Sequence, residues 1–76
     1  MTNDFENFSF HIYRDTFLGL NKQWSCDVWD HSVAPKKIIK PWSYGFSSKK
    51  KLVEHIKAVA GEFATITRHK DFDIIN

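Results

Sequence analysis

The chain has 76 residues, a net charge of +2 and a single cysteine, Cys26. An internal disulfide is thereby excluded, and no apolar run approaches the roughly 20 residues needed to cross a bilayer. The start, Met1-Thr2-Asn3-Asp4-Phe5-Glu6, is acidic and polar, unlike a secretion signal, so a soluble, cytoplasmic protein is expected.

Residues 1–76 read as a single domain. A chain this short buries only roughly 60% of the surface it exposes when unfolded. Seven Phe, three Trp and two Tyr supply the mass for a core, since aromatic rings bury roughly 150–250 Å² each. A homodimer is a further way to hide apolar surface.

The first strand is expected over about 8–14. Phe8, Phe10 and Ile12 alternate with Ser9, His11 and Tyr13, the period of a half-buried strand. A connection with Gly19 and Asn21 follows, too long for a two-residue turn. A second strand is expected over 23–30, with Trp24, Cys26 and Val28 on one face and Ser25, Asp27 and Trp29 on the other. After a loop carrying Pro35, residues 38–46 form a third strand, and Pro41 marks it as an edge or a broken one.

The helix is the clearest element, expected over 48–62. Ser47 or Ser48 offers a cap, and Leu52, Val53, Ile56, Val59, Ala60 and Phe63 recur at helical spacing. Gly61 either ends the helix or sits on its solvent side. A short strand at 64–68 and a tail at 69–76 complete the chain. The expected fold is α+β: a small two-layer domain with a three- to four-stranded antiparallel sheet against one amphipathic helix, in the order β-β-β-α-β.

Charge is uneven along the chain. Residues 1–35 sum to −3, residues 36–57 to +6 and residues 58–76 to −1. The middle segment holds Lys36, Lys37, Lys40, Lys49, Lys50, Lys51 and Lys57 against Glu54 alone. Lysines at a helix start oppose its dipole by roughly 0.3–1 kcal/mol each. Local rules are most often broken at functional sites, and a basic helix N-terminus suits phosphate. Three surface lysines are equally an ordinary solvated face.

Ser48-Lys49-Lys50-Lys51 resembles the Ser-Lys-Lys opening of the final helix in double-stranded-RNA-binding domains. That resemblance implies lysines meeting phosphates across the major groove. The family's first helix has no counterpart in residues 1–7, and the helix here is not alanine-rich. The layout of three strands and a helix is also similar to plant ethylene-response-type DNA-binding domains and phage integrase arm-binding domains. Tyr13, Trp24, Trp42 and Phe46 are placed somewhat like the plant family's aromatic landmarks. The arginines with which those sheets read guanine are missing, because Arg14 and Arg68 are the only two. Lysine contacts phosphate as a point charge, whereas arginine gives bidentate base readout.

Tyr13 and Trp29 fall on the face opposite the core pattern. There they serve as interface anchors or as stacking platforms for bases, unless the tail with Phe72 and Ile75 folds over them. His11, His31, His55 and His69 are scattered and form no zinc-type spacing. Cys26 alternates with Trp24 and Val28 as a core cysteine does. No phosphate loop or carboxylate pair stands out, so neither a cofactor nor enzymatic activity is expected.

Two functional readings remain. In the first, the chain is a non-enzymatic module that binds a protein partner through Tyr13, Trp29, Trp42 and Tyr44. Small charged, aromatic-rich domains of this kind are frequent among phage or mobile-element inhibitors of host or defence complexes. In the second, Lys36, Lys37, Lys40, Lys49, Lys50 and Lys51 bind nucleic acid largely without regard to sequence. A pI of 8.8 lies below the value above 9 usual for dedicated nucleic-acid binders, which favours the protein partner.

Overall fold

The computed structural model describes residues 5–16 and 22–75. The connection with Gly19 and Asn21, the first four residues and residue 76 lie outside the described residues. The elements run β1 (Phe8–Asp15), β2 (Gln23–Asp30), β3 (Lys37–Phe46), α1 (Lys49–Ala60) and β4 (Thr65–Arg68). A single 3-10 turn follows at Lys70–Phe72.

The strands form one sheet in the order β3-β2-β1-β4. β1 and β2 pair antiparallel from Phe8 opposite Asp30 to Asp15 opposite Gln23. That register places the two alternating apolar sets on one face. β3 lies antiparallel to β2, with register shifts where Ile39 faces Val28 and Ser43 faces Cys26. Pro41 sits inside that irregular stretch, on the strand that forms one edge of the sheet. Prolines are tolerated there because no ladder is continued by the missing N–H.

The α+β order β-β-β-α-β is as the sequence pattern indicates. The sheet, however, is mixed, because β4 pairs parallel to β1. The reason is topological. β3 runs in the same direction as β1, and a helical crossover returns the chain to start another strand in that same direction.

The core lies between this sheet and α1. Phe10, Ile12, Cys26 and Val28 meet Leu52, Ile56 and Ala60, all of them buried. Trp42 lies edge-on to Phe10 with ring centroids 5.2 Å apart. Each fully buried aliphatic or aromatic side chain contributes about 1.5–3 kcal/mol. Ser48 caps the helix by accepting a bond from the Lys51 N–H at 3.2 Å.

The apolar stripe is narrower than its spacing suggests. Val59 is exposed, and Phe63 is 94% exposed. Gly61 explains the second case: its φ of 100° ends the helix at Ala60, a conformation that glycine adopts without steric cost. Phe63 therefore lies beyond the helix, where a 100° rotation per residue no longer governs its direction.

The tail stays on the sheet. The His69 N–H donates to Ile12 O at 2.9 Å. After the 3-10 turn, Ile74 forms a parallel bridge with Asp15, its N–H donating to Arg14 O at 2.9 Å. The chain thus follows the outer edge of β1 and arches over the face that α1 leaves open.

Candidate functional site on the open sheet face

Because side chains alternate along strands, Ser9, His11 and Tyr13 of β1 and Ser25, Asp27 and Trp29 of β2 share the face opposite the core. Helical packing cannot cover them, so polar pairing and the tail do so instead. Tyr13 is only 4% exposed. Its hydroxyl donates to Asp27 Oδ1 at 3.1 Å, and Phe72 stands edge-on to its ring at 6.4 Å. Burial, and then the Asp27 charge, push the Tyr13 hydroxyl pKa well above its usual value. Burial also raises the Asp27 pKa, an effect opposed by the Tyr13 bond and by the Lys40 charge.

Beside this pair runs a chain of histidines. Ser9 Oγ is bonded to His11 Nε2 at 2.6 Å and to His31 Nε2 at 2.8 Å. His11 Nδ1 is bonded in turn to His69 Nε2. A hydroxyl has one proton, so Ser9 donates to one ring and accepts from the other. Trp29 stacks on His11 at 3.8 Å, and Lys36 Nζ lies 4.3 Å from the Trp29 ring centroid. His69 also stacks on Phe72 at 4.3 Å. Burial first, then the charges of His69, His31 and Lys36, lower the His11 pKa to about 4. His11 is therefore neutral at neutral pH, and the network pins the tail to the sheet.

The tail is held at its far end by an ion pair. Arg68 reaches Asp73 through two bonds of 2.7 and 2.9 Å, and the Arg14 N–H donates to Asp73 Oδ1 at 2.8 Å. These contacts keep the Asp73 carboxyl below its ordinary pKa, chiefly through the Arg68 bonds.

Among the described residues, two clefts open on this face. One, of about 370 Å³, is floored by Tyr13, Asp27 and Trp29 and walled by Ile38, Lys40 and Phe72. The other, of about 540 Å³, is lined by Tyr13, Asp15, Ser25, Lys40, Pro41 and Tyr44. Tyr13 and Lys40 line both, so the two adjoin. Above them Ile38 is 49% and Tyr44 56% exposed on the edge strand.

The residues singled out from sequence are thus divided. Trp29 lines one cleft of the open face and Tyr44 the adjoining one, with Tyr13 lining both beneath the tail. Trp42 lies on the other side, against Phe10 and His55. The lysines fall into two groups along the chain. Lys36 precedes β3 and Lys37 and Lys40 lie in its first half, whereas Lys49, Lys50 and Lys51 open α1 beyond its end. Residues 41–46, the part of β3 that follows Lys40, extend at most roughly 20 Å.

Sequence reasoning missed the His11–His69 contact and the unpaired Ser25 hydroxyl, whereas the tail's cover of Tyr13 and Trp29, which Phe72 provides, was one of its two readings. The histidine contact depends on β4 docking in parallel beside β1, which brings residues 58 positions apart together. Alternation alone already assigns Ser9, His11 and Ser25 to the non-core face. Cys26 is buried, and burial raises its pKa to about 12, so its thiol stays protonated. Among the described residues, no group of three or more His, Cys, Asp or Glu side chains could hold a metal ion. Among them, no helix is long and apolar enough to cross a membrane. Compared with known proteins, the chain matches no family model, no curated protein and no solved structure.

Proposed function

We propose that this chain is a small non-enzymatic module that binds a protein partner across the open sheet face and the adjoining β3 edge. The observation that carries this reading is the pair of adjoining clefts, rimmed by the exposed Ile38 and Tyr44 on an edge strand. Interfaces of this kind centre on aromatic anchors in desolvated pockets and are rimmed by polar groups. Tyr44, Trp29 and Ile38 supply the apolar part, and Lys36, Lys37 and Lys40 the rim.

The separation of the two lysine groups weighs against a nucleic-acid groove, in which cations follow one backbone continuously. The test pairs two titrations. Duplex DNA, duplex RNA and single strands are expected not to bind the wild type at near-physiological salt. A partner co-purified with the wild type is expected to be lost from the Ile38→Ser/Tyr44→Ala double variant. Tight nucleic-acid binding that disappears in a Lys49→Ala/Lys50→Ala/Lys51→Ala variant would transfer the function to nucleic acid.

A further inference from the structure

The cleft beneath Tyr44 has a feature that a merely exposed apolar face lacks. Ser25 is 1% exposed, and its Oγ is a buried side-chain atom with no hydrogen-bond partner. Such groups are rare in folded proteins and costly when nothing replaces the lost water. The register pairs Ser25 with Tyr13, so its side chain projects onto the open face and lines the cleft.

The groups lining this cleft say what belongs there. Its charged side chains are Asp15 and Lys40, whereas Asp27, Asp71 and Asp73 line the adjoining cleft. Ser25 and Asp15 thus offer hydroxyl and carboxylate acceptors, and Tyr13 and Tyr44 offer rings. Aromatic faces of this sheet already receive cations elsewhere, Lys36 over Trp29 at 4.3 Å and Arg68 over Trp24 at 4.8 Å.

We propose that the Ser25–Tyr44 cleft receives an arginine side chain of the protein partner, a claim that rests on the protein-binding reading above. The guanidinium donates to Ser25 Oγ and to a cleft carboxylate while its plane lies against Tyr44. A planar fork of five donors meets several acceptors at once, which a single ammonium does less well. Lys40, which lines both clefts, holds the place of that cation and swings outward when the arginine enters.

The test uses the whole protein and a small probe. N-acetyl-arginine methylamide is titrated into isotope-labelled protein while backbone amide shifts are followed, with N-acetyl-glutamate methylamide as the control. Saturable millimolar binding of the arginine compound, with shifts centred on Asp15, Ser25 and Tyr44, is expected. The glutamate compound is expected to give none. Ser25→Ala, which removes a hydroxyl without orphaning a partner, should weaken the arginine probe several-fold. Lys40→Ala should strengthen it several-fold by removing a like charge.

Preference for glutamate, or loss of all binding in Lys40→Ala, would make this an anion site and overturn the proposal. Absence of any saturable shift would also overturn it. If the Ile38→Ser/Tyr44→Ala variant still loses its partner in that case, only the arginine assignment falls. If the partner is retained as well, the protein-binding reading falls with it.

Discussion

His11 carries the clearest chemical consequence at the scale of single residues. In an unfolded chain it titrates near 6.5, whereas in the fold its pKa is lowered to about 4. Above pH 6.5 both states are neutral and the difference contributes nothing. Between 6.5 and 4 the unfolded chain takes up a proton that the folded one resists, so stability falls as the pH falls. Below about 4 this contribution levels off. The effect is on the order of 1–3 kcal/mol. Asp27, raised by burial, acts in the opposite sense over the carboxylate range, so a comparison with a variant isolates the histidine. Thermal melts from pH 7.5 to 4 are expected to show a falling midpoint for the wild type and a flatter profile for His11→Asn. The variant should be less stable at pH 7.5, because Ser9 and His69 lose their partner.

At the scale of elements, the helix and the tail differ in how directly sequence determines them. Ser48, Leu52, Ile56 and Gly61 announce α1 from local rules, and its observed bounds, Lys49–Ala60, fall inside the expected span. The first three strands follow equally from alternation. Local rules are silent on the pairing of β4, because four residues, Thr65–Arg68, pattern no differently whichever neighbour they join. Hence the parallel pairing and the Ser9–His11–His69 chain were not legible, whereas the fold of the tail over Tyr13 and Trp29 stood as one of two readings. The side on which Trp42 lies was not legible for another reason: the irregular pairing around Pro41 breaks strict alternation, and its ring packs against Phe10.

Two measurements test these elements. Ser48→Ala should lose about 1 kcal/mol in chemical denaturation, through the lost cap on the Lys51 N–H. Phe72→Ala should leave the helix intact but lower the hydrogen-exchange protection of the Ile74 amide, which donates to Arg14 O. Equal loss of protection throughout α1 would show that the tail belongs to the same cooperative unit as the core.

At the scale of the whole molecule, the helix start and the open face present different surfaces. The helix start presents Lys49, Lys50 and Lys51, all exposed with no acidic residue in the first turn. Their mutual repulsion and opposition to the helix dipole mean that the triple alanine variant should be as stable as the wild type, or more so by about 1 kcal/mol. Its partner binding should persist, as equilibrium titration of both proteins will show. The open face, by contrast, concentrates the clefts, the buried Ser25 hydroxyl and the exposed side chains of β3.

The most direct test of the account compares a photoreactive phenylalanine analogue at position 44 with the same residue at position 50. Irradiation in cells is expected to yield a defined protein adduct from position 44 and none from position 50. Adducts with nucleic acid from position 50, with no protein adduct from position 44, would contradict the account and move the binding site to the helix start.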